Sequence, residues 1–352
     1  VVIYGMGITQ HITGSSNVKA ITNLLMLTGN IGRENTGFSP LRGQNNVQGS
    51  CDMGALPNVY PGYQKVTDPK NQAKFGKFWG VQLDKNDGLS LTDMVLAMDK
   101  QQIQAMYIMG ENPLMSEPNL NHARHAFSKL DFLVVQDIFL TETGLLADII
   151  LPSTSFAEKD GSFTNTERRI QIVRKLFPSL GEAWEDWRII TQIASRMGYD
   201  MAYNSSSEIM DEIASLTPIY QGINHKRLNR VGGLQWPCWN SMHPGTPRLH
   251  VKEFTRGKGN FHVVDQQPPA EIPSKKYPTT LTTGRVLEQY HTGSMSRRSS
   301  VLETLQPESH LDINPEEAAS MGIAEGDFVQ VTSRRGNIRT KIHQDQRVPA
   351  GM

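Results

Sequence analysis

The feature that most constrains this chain is a set of short apolar runs without polar alternation: "AMYIM" (105–109), "FLVV" (132–135) and "ADIILP" (147–152). Strands of this kind are covered on both faces, and when helices alternate with them they align in parallel. A helical pattern, "LSLTDMVLAMDKQQIQ", leads into the first run. Another, "NLNHARHAFSKL", leads into the second, with Leu120, Ala123 and Phe127 on one face. The expectation is an α/β fold with a parallel sheet between helical layers. The opening "VVIYGMG" adds a β-branched run broken at Gly5 and Gly7. A helix follows it, carrying Val18, Ile21, Leu24 and Leu25, capped by Ser15 or Ser16 and stopped at Gly29. "WEDWRIITQIASRMG" reads as another helix, with Ile190, Ile193, Ala194 and Met197 forming its apolar face and Gly198 ending it.

Residues 200–275 are rich in Gly, Pro and Asn and read as a connecting region. From about Tyr277 the texture becomes β-like: "YPTTLTTG", "FVQVTS" and "NIRTKI" alternate as strands, and Ser333–Gly336 would turn a hairpin. "NPEEAASMGI" is a short helix capped by Asn314, with Pro315 at its first position.

Composition narrows the function classes. Lys plus Arg and Asp plus Glu number 35 each, with no long run of either sign, so there is no basic footprint for nucleic acid or an anionic membrane. No apolar run approaches the roughly 18 to 20 residues of a membrane span. Cys51 and Cys238 are the only cysteines; they form no CxxC and no iron–sulfur ligand set, and two free thiols suit a reducing cytoplasm. The chain opens without Met, already in a strand, and closes in what reads as a turn. It is expected to be an internal piece of a longer protein.

Ligands of open parallel sheets bind beyond the carboxyl ends of the strands. Gly5, Met6 and Gly7 follow one such end, Gly110, Glu111 and Asn112 another, and Gln136 and Asp137 a third. Glycines admit close backbone approach, while carboxylates and amides can bond sugar hydroxyls or a base edge. A nucleotide-like ligand fits; so do ordinary turn and cap roles. "GMGITQ" is not a dinucleotide fingerprint, because Gln10 stands where the third glycine belongs. His122 and His125 in "HARH" have helical spacing for a metal pair, but no third ligand is nearby, and a solvated face accounts for them as well. Residues 282–299, "TTGRVLEQYHTGSMSRRS", concentrate Arg285, Glu288, Gln289, His291, Ser294, Ser296, Arg297 and Arg298, as a phosphate grip or a charged surface loop. "SPLRGQNNVQGSCDMGALP" (39–57) follows neither a helix nor a strand period and reads as a loop that holds something.

Taken together, "GMGITQH", "TGNIG", "LRGQNNVQGSCDMGALPNVYPGYQ", "YIMGENP", "VVQDIFLTETGLLADIILPS", "DWRIITQIASRMGY" and "GRVLEQYHTGSMSRR" resemble the catalytic subunit of molybdenum- or tungsten-dependent formate dehydrogenases, among the molybdopterin-guanine-dinucleotide oxidoreductases. The resemblance runs over residues 1–352 in order, and the "RGQNNVQG…DMGALP" block is its most specific part. It implies two pterin dinucleotides holding Mo or W. It also implies a metal-ligating Cys or selenocysteine and a 4Fe-4S cluster in segments preceding this sequence, so no metal ligand is assigned here. Cys51 takes a structural position. Arg42 matches the arginine that orients the formate carboxylate, with Gln44 beside it. Gly5, Met6, Gln10, Gly110, Glu111, Asn112, Gln136, Asp137 and Asp186 match cofactor-contacting positions, Asp186 and the strand-end residues at a guanosine end. Asn112 stands where some members have aspartate. Arg285, Val286, Gln289 and His291 match the second cofactor-binding segment.

The implied activity is oxidation of formate to CO2, with electrons leaving through the iron–sulfur centre to electron-transfer subunits or domains. The implied layout is the end of one α/β domain (1–43), a second α/β cofactor-binding domain (44–206), a connecting segment (207–245), and an incomplete six-stranded double-psi β-barrel (246–352). Residues 156–184 are expected to pack toward the iron–sulfur domain. Another superfamily member, such as a nitrate reductase, and a non-catalytic scaffold are the rival readings. These 352 residues alone are expected to be inactive.

Overall fold

The computed structural model describes residues 1–352, which separate into two compact units: residues 1–90 with 153–269, and residues 91–152 with 270–352. The chain therefore leaves the first unit and returns to it before completing the second.

In the second unit, strands Ala105–Met109, Phe132–Asp137 and Ile149–Pro152 form the expected parallel sheet with Phe132–Asp137 in the centre. The register pairs Met109 with Gln136 and Asp137 with Pro152, so the polar strand ends come level. Helices Leu91–Asp99 and Leu120–Phe127 supply Val95, Met98, Ala123, Ala126 and Phe127 to a core shared with Ile108, Leu133 and Val135. Only part of the expected covering is found within the chain. Ala105, Tyr107 and Met109 alternate outward along their strand, and Ile150 on the edge strand is 44% exposed. The apolar runs were long enough for two covered faces, but the helices of this unit bury one.

The same unit carries a sheet ordered His310–Ile313, Asn337–Gln344, Phe328–Thr332, with one parallel and one antiparallel pairing. The Ser333–Gly336 turn joins the antiparallel pair, with the Ser333 N–H on the Gly336 carbonyl at 2.8 Å. Asn314 caps the helix Pro315–Ser320 through the Glu316 N–H. "YPTTLTTG" forms no strand; a backbone bond from the Thr280 N–H to the Gly351 carbonyl at 3.1 Å stands in place of a ladder.

In the first unit, Val2–Tyr4 pairs in parallel with Phe38–Pro40. The helix Gly14–Leu27 has its cap at Thr13, two residues before the first of the expected serine caps, and Thr13 makes no side-chain cap bond. A second core of Ile170, Met210, Tyr220, Ile223, Leu228, Leu234 and Cys238 joins an antiparallel sheet (Gly161–Thr164, Arg169–Val173, Leu234–Gln235) to helices Ser206–Leu216 and His225–Val231. Residues read above as connecting are thus folded up to Cys238. In the helix Asp186–Arg196 the buried positions are Ile189 and Thr191, whereas Met197, assigned to the apolar face, is 81% exposed just beyond the end.

Candidate functional site

Two groups of expected residues gather at carboxyl ends of parallel strands. In the first unit Tyr4 lies opposite Pro40, so Gly5 and Met6 leave one strand beside the point where Leu41 and Arg42 leave its neighbour. The Leu41 N–H donates to the Tyr4 carbonyl at 2.6 Å, and the Tyr4 ring stacks on Phe38 at 4.6 Å. A non-local pairing brings these residues together, so sequence spacing gives no sign of it. Burial pushes the Tyr4 hydroxyl up from its ordinary value, and the nearby Arg42 charge partly opposes that. The Arg42 Nε is buried without a hydrogen-bond partner. Such a donor pays its desolvation cost without return until an acceptor arrives. Gln44 and Gln10 are exposed.

Beyond Arg42 the segment expected to be a loop contains a helix, Val47–Asp52. Its inward face is Gln48, Gly49 and Asp52, which is why no apolar period announced it. Asp52 is 0% exposed and accepts four hydrogen bonds: Gln48 Nε2 and Tyr63 OH on Oδ1, each at 2.8 Å, and Tyr220 OH at 2.6 Å and Trp236 Nε1 at 2.7 Å on Oδ2. Burial raises the Asp52 pKa, and the four donors oppose that rise without cancelling it. Just ahead of the helix, Asn46 Oδ1 accepts the Thr164 N–H at 2.9 Å. The network thus fixes the far end of the Arg42 segment. Sequence reasoning missed it; the only signal was the i, i+4 pairing of Gln48 with Asp52.

In the second unit Gly110 takes the left-handed conformation (φ 65°) and donates to the Gln136 carbonyl at 2.9 Å. Glu111 is exposed there. Asp137 Oδ1 accepts the Ile138 N–H at 2.7 Å and thereby turns the chain. The Gln136 side chain is fully buried against the Tyr107 hydroxyl. Asn112 is also buried, and its amide is filled: Nδ2 donates to Glu142 at 2.8 Å and Ser294 at 2.9 Å, while Oδ1 accepts from the Thr143 N–H and hydroxyl. Arg285 and His291 approach at 3.4 Å, Val286 is exposed, and Gln289 bonds Ser296. Asp186 belongs to the first unit, where Lys159 pairs with it.

Other expectations resolve differently. Arg297 and Arg298 face Glu142, at 3.3 and 4.0 Å, and so form neither a free phosphate grip nor a purely solvated loop. His122 and His125 both face Asp99, at 3.7 and 3.6 Å, and Lys129 reaches the same carboxylate at 2.8 Å. The three side chains thus share one acidic partner.

Within each unit the strand ends leave room for a ligand with polar groups. A Cβ added at Gly5, Gly7 or Gly110 would meet nothing within 4 Å, leaving open space over the strand ends, and Arg42 retains an unspent donor. Residues 1–196 match the family model Molybdopterin oxidoreductase, and residues 279–352 match Molydopterin dinucleotide binding domain. The chain is 49% identical over 355 residues to the F420-dependent formate dehydrogenase subunit alpha of Methanocaldococcus jannaschii, covering 100% of this chain and 52% of that protein. It is 40% identical over 359 residues to formate dehydrogenase H of Escherichia coli, covering 99% and 50%. The chain thus spans about half the length of these curated relatives. Among solved structures, acetylene hydratase from Pelobacter acetylenicus matches 80% of this chain and 41% of its own, with a TM-score of 0.61 at 19% identity, a likeness of fold alone. A family model covering more than half of the sequence, together with relatives 40–49% identical over essentially all of it, means that this chain belongs to the molybdopterin oxidoreductase family.

Proposed function

We propose that this chain is the substrate-orienting and cofactor-gripping part of a formate dehydrogenase that holds molybdenum or tungsten on two molybdopterin guanine dinucleotides. The observation that carries the reading is Arg42: a guanidinium with a buried, unpartnered Nε at a strand end, in a chain aligned end to end with formate dehydrogenases. A guanidinium fork suits a carboxylate, and bidentate charge-assisted bonds would hold formate in one orientation. Gln44 adds a neutral amide without a competing charge. When bound, the metal cofactor supplies the two-electron redox chemistry, and electrons pass to a 4Fe-4S centre outside these residues.

Gly5, Met6, Gln10, Gly110, Glu111, Asp137, Asp186, Arg285, Val286 and His291 are read as its direct contacts. Asn112, Gln136 and Gln289, whose amides are occupied internally, act by shaping backbone. The mixed sheet of residues 310–344 supports reading residues from 270 onward in the 246–352 segment as part of a double-psi barrel, while 246–269 cluster with the first unit. The divisions at 43/44, 206/207 and 245/246, and the packing of 156–184 toward an iron–sulfur domain, remain parts of this proposal. No helix is long and apolar enough to cross a membrane, and two free thiols favour the cytoplasm.

The test is metal and pterin analysis of the natively purified full-length protein, with formate and nitrate assays using an artificial electron acceptor or donor. Mo or W, about two pterin dinucleotides per chain and formate-dependent reduction are expected. Nitrate turnover without formate turnover would favour the nitrate reductase reading, and a metal-free, inert protein would favour a scaffold.

A further inference from the structure

We propose that Glu142 is a positioning residue for the dinucleotide cofactor, joining the Gly110–Asn112 turn to the Arg285–His291 segment so that both are presented as one surface. This rests on the cofactor reading above. Glu142 follows the strand Phe132–Asp137 by a short loop. One carboxylate oxygen accepts Asn112 Nδ2 at 2.8 Å, and the other accepts Arg297 Nη2 at 3.3 Å. Arg298 lies 4.0 Å from the same carboxylate, donates to the Leu140 carbonyl at 3.0 Å and covers the Phe139 ring at 5.4 Å. The loop 139–142 therefore holds the turn on one side and both arginines on the other.

The path continues along the backbone from Ser294 to Ser296. Asn112 donates to the Ser294 hydroxyl at 2.9 Å, and Ser296 donates to Gln289 at 2.7 Å while accepting the Tyr290 N–H at 2.9 Å. Burial would raise the Glu142 pKa, but the hydrogen bonds from Asn112 and from its own backbone N–H, and then the Arg298 and Arg297 charges, outweigh it and lower the pKa. A lone carboxylate would repel the phosphates of a dinucleotide. Two guanidiniums against the Glu142 carboxylate leave one net positive charge among these three groups, so the clamp orders both segments without itself adding negative charge.

The experiment uses the full-length enzyme and measures pterin guanine dinucleotide and metal per polypeptide, together with the rate of cofactor release on dilution well below the unfolding temperature. Glu142→Ala is expected to retain less than about one fifth of the wild-type loading. Glu142→Gln keeps an acceptor for Asn112 but not the charge, and should release cofactor at least about threefold faster with an unchanged unfolding midpoint. It carries the test if the Ala variant does not fold. A Glu142→Ala/Ser294→Ala double variant should lose less than the product of the single losses, because both act on one path. Wild-type loading and release in the folded Glu142 variants would overturn the clamp alone. A wild-type enzyme without pterin dinucleotide would overturn the cofactor reading, and the clamp with it.

Discussion

The segment carrying Arg42 and the turn at Gly110–Asn112 both leave carboxyl ends of parallel strands, yet different things hold them from below. Beneath the Gly110 turn lies an apolar core of Val95, Met98, Ile108, Leu133 and Val135, in which many small contacts share the load. Beyond Arg42 lies a helix with a polar inward face, fixed by four donors converging on the Asp52 carboxylate. A core of dispersed contacts loses stability in proportion to the atoms removed. A buried carboxylate concentrates it in one residue, because deletion removes the shared acceptor of four donors at once and leaves Trp236 Nε1 and the Tyr63 hydroxyl without theirs.

The largest expected effect follows from that concentration. Asp52→Ala should destabilise the first unit by about 3–5 kcal/mol, from more than one buried donor left unsatisfied at about 1–3 kcal/mol each, measured as a shift in the urea midpoint. Leu133→Ala, in the dispersed core of the second unit, should cost about 2–4 kcal/mol. If Asp52→Ala cost less than Leu133→Ala, the contrast between the regions would be broken. Asp52→Asn sharpens it: the amide restores acceptors for two donors but turns an N–H toward Trp236 Nε1, which cannot accept, for a loss of about 1–3 kcal/mol.

The smallest effect concerns the surface of the second unit. His343 Nδ1 meets Glu325 Oε1 at 3.1 Å; the hydrogen bond with Glu325 raises the His343 pKa, while a backbone bond from Gln344 and then His343 lower that of Glu325. The histidine contribution is complete below its ordinary value of 6.5 and fades as pH rises through the raised folded value. The glutamate contribution is present above 4.5 and fades as pH falls below it. The pair therefore works best between these limits. Glu325→Gln should flatten the pH dependence of stability near neutrality, measured by denaturation at several pH values.

The same contrast decides what could be read from sequence. The sheet of the second unit was legible because its strands are apolar and its helices carry Ala123 and Phe127 at helical spacing. The helix Val47–Asp52 was not, because Gln48 and Asp52 occupy positions where periodicity looks for apolar residues. The polar strand ends at Gly5, Gly110 and Asp137 could be placed from their neighbours. That Gly5 lies beside Arg42 could not, since the pairing of Tyr4 with Pro40 spans the intervening helices Met6–Thr9 and Gly14–Leu27. The internal use of the Asn112 amide was equally hidden, its partners lying at Glu142, Thr143 and Ser294.

The central claim, that Arg42 orients formate by its planar fork, is tested most directly by Arg42→Lys in the full-length enzyme, with turnover normalised to bound metal. Lysine keeps the charge but not the paired donors, so kcat/KM for formate should fall at least about tenfold, and at least about a hundredfold in Arg42→Ala. Turnover at the wild-type level in the metal-loaded Lys and Ala variants would contradict the assignment.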